Sequence, residues 1–158
     1  MNSFFKVAVF CLIVIGAFTA FAVWYVPDIP VTQPPAVHEQ AISDDAALVA
    51  VGEAIFYGKG NCTLCHDKRG NRAPALDGIA FIAPERLKDV RYKGKATTAD
   101  EYVYESLVNP SAYVVKGYGA RGSGDAISPM PEATGPAIGL TDIEANAVAS
   151  FLLSGGFH

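Results

Sequence analysis

Cysteine and histidine are scarce in this sequence. Its 158 residues include three cysteines and three histidines. From residue 43 onward the only Cys and His side chains are Cys62, Cys65, His66 and the C-terminal His158. A structural zinc site normally takes four such ligands. Because the fourth would have to be the last residue of the chain, the count argues against structural zinc.

An excess of positive charge is also missing. Twelve basic residues stand against sixteen acidic ones, which gives a formal net charge of −4 at pH 7. A nucleic-acid partner is therefore not expected. The sequence shows no convincing strand pattern, internal repeat or low-complexity tract. Its length suits one domain with a modest core.

Long apolar runs are confined to the N-terminus. Val7 to Val26 is twenty residues without a charge, about 30 Å as a helix, which equals the hydrocarbon thickness of a bilayer. This run is longer than the apolar region of a secretory signal. We predict a retained transmembrane anchor in residues 1–26, with a cleaved signal peptide at Ala20-Phe21-Ala22 as the alternative. Lys6 predicts a cytoplasmic N-terminus and export of the rest of the chain.

Residues 27–42 form a proline-rich linker. Pro27, Pro30, Pro34 and Pro35 cannot continue a helix and favour an extended, semi-rigid spacer. The linker would hold the following domain, residues 43–158, clear of the membrane surface.

Three helices are predicted in this domain, which we expect to be mainly α-helical with long loops. Two of them open with capping-box patterns, in which Ser or Thr is followed three residues later by Glu. The first helix has acidic residues at its start and an apolar face at helical spacing. Glycine or proline ends each helix. The predicted limits are Ser43–Asp45 to Gly58, Thr98 to Val108 before Asn109-Pro110, and Thr141 to Gly155.

The segment Cys62-Thr63-Leu64-Cys65-His66 carries the clearest chemical signal. A thioredoxin-like redox pair expects a βαβ context and no adjacent histidine. The spacing C-x-x-C-H is instead the attachment signature of c-type haem. Two thiols at this spacing can add across the two vinyl groups of one porphyrin, and the next residue supplies an imidazole for the iron. We therefore predict one covalently attached haem c at Cys62, Cys65 and His66.

Met130 is the candidate for the sixth iron ligand. It is the single methionine after residue 43 and lies in Ser128-Pro129-Met130-Pro131. A methionine that fills a core usually lies on a helix, whereas this one stands between two prolines that restrict the backbone. His/Met ligation is the pairing used by electron-carrying cytochromes c.

The sequence between residues 49 and 153 resembles a class I c-type cytochrome with a single haem. The residues that carry the resemblance are Gly52, Phe56, Cys62, Cys65, His66, Ala73 to Gly78, the Pro129-Met130-Pro131 loop, and Phe151 on the last helix. The resemblance implies a class I cytochrome c fold of three to five helices around the haem. It further implies that the first and last helices cross, with Gly52 allowing Phe151 to pack closely. Finally, it implies that the carbonyl of Pro74 accepts a hydrogen bond from His66, with His66 and Met130 as the metal ligands.

The favoured function is one-electron transfer rather than enzymatic catalysis. With both axial positions filled, no small-molecule substrate is expected. Membrane-anchored members of the family occur as small subunits of respiratory complexes, nitric oxide reductase being one example, so redox proteins or a membrane complex are the expected partners. The expected location is the cell membrane, with the haem domain on the periplasmic side.

Two other functions stay open. One is a haem-based sensor or small-molecule-reacting enzyme with a displaceable sixth ligand, and the other is a structural subunit whose haem only stabilises the fold.

Charged and aromatic surface residues give weaker signals. Arg86, Lys88, Arg91, Lys93 and Lys95 form a basic cluster interrupted by Asp89, and Lys68, Arg69 and Arg72 follow the haem motif. Such runs are usually solvated faces, although they can also steer a partner. Tyr102, Tyr104, Tyr113 and Tyr118 could pack beside the porphyrin or cover it, and core packing is the expected role of each.

Overall fold

The computed structural model describes residues 2–26, 45–67 and 72–157. The chain divides into two compact units, Met1–Gln33 and Pro34–His158. The helices are α1 (Ser3–Tyr25), α2 (Asp45–Tyr57), α3 (Ile79–Leu87), α4 (Ala99–Val108) and α5 (Asp142–Leu153). These described ranges contain no strand, so the expectation of a mainly α-helical protein is confirmed. The predicted linker, residues 27–42, and Ser43 at the predicted start of the first helix lie outside them.

Helix α1 is apolar around its whole circumference. It contains no buried residue, and its 23 residues are long and apolar enough to cross a membrane. A helix that is hydrophobic on every side is typical of a membrane span or of a deeply buried helix. The N-terminal apolar helix predicted from the sequence is therefore present.

The capping boxes predicted at Thr98 and Thr141 are both present. Each threonine hydroxyl accepts a hydrogen bond from the backbone N–H three residues later, and the glutamate there, Glu101 or Glu144, accepts one from the threonine N–H. These bonds satisfy N–H groups that the first turn of a helix leaves without partners. Helices α4 and α5 consequently begin where the sequence indicates.

The most extensive contact between helices joins α2 and α5. Gly52 is buried in α2, and a Cβ built at this position would lie 1.9 Å from the Ala147 carbonyl oxygen and 2.9 Å from Phe151 Cβ. Only glycine lets the two backbones approach this closely. The crossing expected from Gly52 and Phe151 is present.

Aromatic side chains fill the space beside this crossing. Phe56 and Phe151 are each 1% exposed, with ring centroids 5.5 Å apart, and Phe157 packs edge-on against Phe56 at 5.3 Å. Burying one such side chain stabilises a fold by roughly 1.5–3 kcal/mol. Tyr102, at 3% exposure, belongs to the same core, which confirms the core packing predicted for it.

Helix α3 has no counterpart among the helices predicted from the sequence. It begins after Gly78, which takes the left-handed conformation at φ 68° and provides no side-chain cap. Pro84 lies inside its nine residues. The ordinary start signals are absent and a residue that normally breaks helices is present, so packing must stabilise α3. Ile79 and Ala83, both buried in the core, provide that packing.

Candidate functional site

The C-x-x-C-H segment folds as a single tight turn at the end of α2. Cys62–Leu64 form one turn of 3₁₀ helix, and the Cys62 carbonyl oxygen accepts hydrogen bonds from the N–H groups of Cys65 at 3.2 Å and His66 at 2.9 Å. Gly60 N–H donates to the Ile55 carbonyl at 2.8 Å, which ties the turn to the last residues of α2. A Cβ at Gly60 would lie 2.9 Å from that carbonyl oxygen and 3.0 Å from Cys62 Sγ. Glycine at position 60 thus permits the close approach.

The two thiols of the turn have different environments. Cys62 is half-buried and packs against the core, whereas Cys65 is exposed, and both are free thiols. Burial raises the pKa of Cys62 to about 11. The Cys62 thiol therefore stays protonated at neutral pH, because burial disfavours the charged thiolate.

His66 is oriented by a backbone carbonyl. Its Nδ1 lies 3.0 Å from the Pro74 carbonyl oxygen. A carbonyl can only accept a hydrogen bond, so Nδ1 carries the proton and the neutral ring keeps its lone pair on Nε2. Burial lowers the pKa of His66 below its ordinary value, against the opposing effect of the Pro74 bond and with a smaller contribution from the positive charge of Arg86. Burial and the charge of Arg86 therefore favour the neutral imidazole, whose Nε2 is available to a metal. The hydrogen bond between His66 and Pro74 is the one that the family resemblance implies.

A cleft of about 240 Å³ opens beside His66. Its lining residues are His66, Asp67, Ala73, Pro74, Ala75, Leu76, Asp77, Tyr118 and Phe157. Tyr118 lines this cleft rather than the buried core, and the sequence had left both a position beside a porphyrin and core packing open for it. Phe157, which the sequence analysis did not single out, reaches this position because it follows the Gly155-Gly156 turn that ends α5.

Met130 is fixed by hydrogen bonds on both sides of its loop. Its N–H donates to Ser128 Oγ at 3.1 Å, and Ser128 N–H donates to Ser111 Oγ at the same distance. On the far side, Ala133 N–H donates to the Leu107 carbonyl at 2.8 Å, which joins the loop to the end of α4.

Met130 is half-buried against the same core as Cys62, but it is not among the residues that line the His66 cleft. Of the five candidate site residues, His66 and Pro74 line the cleft, Cys62 and Cys65 share one turn with His66, and Met130 packs against the same core as Cys62.

Comparison with known proteins adds no family to this description. No protein-family model matches the chain, and no curated protein matches it. In the part of the chain that the structure describes, no group of three or more His, Cys, Asp and Glu residues is placed to hold a metal ion. The chemistry of the site is therefore argued from the two thiols, the oriented imidazole and the thioether alone.

These donors fit a haem attached through its vinyl groups. Two free thiols share one turn with an imidazole whose Nε2 is available, and the thioether of Met130 lies on the same core. Each thiol could add its S–H across one vinyl C=C bond to form a thioether, with no external oxidant or reductant. In c-type haem an imidazole and a thioether bind the iron, and two cysteine thiols are the attachment points.

Proposed function

We propose that this chain is a membrane-anchored, single-haem c-type cytochrome of class I that carries single electrons. The observation that carries the proposal is the single turn formed by Cys62–His66, with His66 Nδ1 donating to the Pro74 carbonyl at 3.0 Å. Two free thiols and an adjacent imidazole at the spacing C-x-x-C-H are the attachment signature of c-type haem.

Each site residue has a distinct role in this proposal. Cys62 and Cys65 would hold haem c through thioether bonds, and His66 Nε2 and Met130 Sδ would bind its iron. When bound, the haem iron takes up and releases one electron. Pro74 keeps the His66 ring in one tautomer and orientation, as an outer-shell partner of a metal ligand does. The hydrogen bonds that hold the Met130 loop limit movement of the thioether, which suits a site that changes little between oxidation states.

The membrane location belongs to the same proposal. Helix α1 supplies a segment able to cross the bilayer, and Lys6 near its start supports a cytoplasmic N-terminus. The haem domain would then face the periplasmic side, where it would exchange electrons with redox proteins or a membrane electron-transport complex of the respiratory type.

The attachment is tested by mass spectrometry and pyridine haemochrome spectra of the full-length protein made with a cytochrome c maturation system. We expect the mass of the chain plus one haem, and loss of that haem in Cys62→Ser/Cys65→Ser. Cys11→Ser is the matched control, because it removes a thiol in α1. An unmodified wild-type chain would refute the proposal.

The ligation is tested by absorption spectra of the oxidised and reduced protein, followed by addition of carbon monoxide. A firm Met130 ligand predicts a low-spin spectrum with methionine charge-transfer absorption that carbon monoxide does not change. Met130→Ala should bind carbon monoxide readily. A wild-type protein that is high-spin or binds carbon monoxide would exclude the simple carrier. The sensor or enzyme with a displaceable sixth ligand would then be the better assignment.

A further inference from the structure

Charge is distributed very unevenly after residue 26. This part of the chain has eleven basic and sixteen acidic residues, for a formal charge of −5. Residues 86–95 alone contain five basic residues and one acidic residue, for +4, so the remainder carries −9. A short positive segment on an otherwise negative chain creates a local field that attracts negative groups.

The positive segment forms one wall of a groove. The groove has a volume of about 640 Å³. The residues that line it are Val90, Arg91, Lys93, Ser111, Val114, Lys116, Gly124, Asp125 and Ala126. None of these residues lines the His66 cleft, so the two concavities are separate.

Hydrogen bonds hold the walls of the groove in place. Arg91 pairs with Asp89 at 2.6 Å and donates to Tyr113 Oη at 2.9 Å. Lys93 N–H donates to the Ala112 carbonyl at 2.8 Å, which joins the positive segment to the segment around Ala112, whose neighbours Ser111 and Val114 also line the groove. The backbone that presents the cations is therefore ordered before any partner arrives, which lowers the entropic cost of binding.

Two cations of the groove are available to a partner. Lys93 and Lys116 are exposed, and no carboxylate in the described part of the chain forms an ion pair with either. The acidic lining residue, Asp125, uses its carboxylate oxygens to accept the N–H groups of Gly117 and Gly119, both at 2.9 Å. The charge of Lys116 helps to lower the pKa of Asp125, but the two side chains form no ion pair, so both lysine ammonium groups can still pair with an incoming negative group.

The groove also has an apolar part. Val90 is 99% exposed although its neighbours on the same segment are ordered, and Val114 and Ala126 lie in the same lining. Apolar side chains beside charged groups are a usual feature of a protein–protein interface. Anionic lipid headgroups would use the charges but would leave the apolar concavity unused.

We propose that this groove docks an acidic segment of a partner protein. The segment's carboxylates pair with Lys93 and Lys116, and an apolar side chain between them covers Val90. The proposal does not depend on the haem, because binding is measured on the chain itself and reads no property of the iron.

The test measures fluorescence anisotropy of a labelled peptide with the full-length protein in phosphatidylcholine nanodiscs. The peptide has glutamates on both sides of a central phenylalanine, and a second peptide replaces the glutamates with lysines. We expect the glutamate peptide to bind and the lysine peptide not to bind. The affinity for the glutamate peptide should fall as the salt concentration is raised. Lys93→Glu and Lys116→Glu should each weaken binding about tenfold, since each turns an attraction into a repulsion.

Matched variants separate the groove from general charge. Arg72→Glu makes the same change at an exposed residue next to the His66 cleft, which shares no lining residue with the groove, and should alter affinity by about twofold or less. Val90→Ser keeps every charge and should weaken binding of the glutamate peptide, because the apolar contact is lost. Equal effects of all three charge reversals, or no effect of Val90→Ser, would overturn the proposal.

Two further measurements exclude other occupants. Vesicles of phosphatidylcholine and phosphatidylserine are added as competitors, and light scattering gives the oligomeric state of the protein. If these vesicles displace the peptide, and Lys93→Glu and Lys116→Glu weaken binding of the vesicles, the groove would be assigned to lipid instead. Self-association that Lys93→Glu abolishes would assign it to a second copy of the chain. No competition and a constant mass support the proposal.

Discussion

At the scale of single residues, burial makes the two thiols of the haem motif chemically different. Cys62 is half-buried, with a pKa raised to about 11, whereas Cys65 is exposed. Alkylating reagents react with the thiolate, so the fraction of thiolate sets much of the rate. In the chain without haem, we expect iodoacetamide at pH 8 to modify Cys62 roughly tenfold or more slowly than an ordinary exposed thiol.

Peptide mass spectrometry after timed labelling measures this difference, with Cys65 as the internal reference. The ratio of the two rates should shrink as the pH approaches the pKa of Cys62. Equal rates at pH 8 would show that Cys62 is not buried in solution.

Single residues also show how far the sequence alone reaches. Neighbouring positions define the Cys62–His66 turn, so its chemistry is visible without a structure. The His66–Pro74 bond was expected only from the family resemblance, since no local pattern specifies which carbonyl a histidine meets. The position of the loop around Met130 is not visible in local sequence, because Ser128 N–H bonds to Ser111 and Ala133 N–H bonds to the Leu107 carbonyl, both distant along the chain.

At the scale of helices, the α2–α5 crossing depends on the missing side chain at Gly52. Gly52→Ala would force a Cβ against the Ala147 carbonyl, and overpacking of this kind typically costs about 1–3 kcal/mol, more than the roughly 1 kcal/mol that alanine gains in helix propensity. We expect a lower denaturation midpoint for Gly52→Ala. Ala50→Ser, at an exposed position of the same helix, should change the free energy of unfolding by about 0.5 kcal/mol or less. A Gly52→Ala protein as stable as the wild type would contradict the close approach of α2 and α5.

Helices differ in how well local sequence specifies them. The starts of α4 and α5 were predicted because a capping box is complete within four residues. The start of α3 was not, because its first turn lacks a capping side chain and Pro84 opposes the helix. Contacts of Ile79 and Ala83 with distant parts of the core stabilise α3, and local sequence cannot show such contacts.

At the scale of the whole molecule, several carboxylates make the fold sensitive to acid. Hydrogen bonds and ion pairs lower the pKa values of Asp89, Glu101 and Asp125 in the folded chain. Burial alone would raise the pKa of Glu144, but its bonds to Lys59 and Thr141 outweigh this effect and lower it. Stability from groups with a lowered pKa is present above the ordinary values of 3.8 for Asp and 4.5 for Glu and is lost as the pH falls through the folded values.

We therefore expect the thermal midpoint, followed by circular dichroism, to be nearly constant from neutral pH to about pH 5 and to fall below that. Glu144→Gln should lower the midpoint at neutral pH and flatten its dependence on acid, since the ion pair with Lys59 is already gone. Glu53→Gln, an exposed carboxylate of α2, is the matched control and should follow the wild type. A midpoint unchanged by acid in the wild type would refute this account.

The apolar helix α1 gives a second prediction at this scale. The full-length chain should stay in the membrane fraction after alkaline carbonate extraction, whereas a chain without residues 2–26 should be extracted. Leu12→Arg should weaken membrane insertion, because arginine near the centre of a span costs about 2.5–3.5 kcal/mol, whereas Leu12→Ala should not. Complete extraction of the full-length chain would exclude a retained anchor.

The α2–α5 crossing also sets the order in which the domain can fold. Helix α2 and the Cys62–His66 turn are synthesised early, but the helix that packs most extensively on α2 is the last of the chain. Contacts between such distant segments form late, because a long loop must first close. Before α5 has been synthesised, the core on which Cys62 packs is incomplete. Both thiols are then open to modification. A chain that ends before residue 142 lacks the α5 part of the core on which Cys62 packs, so Cys62 should be alkylated faster than in the full-length chain.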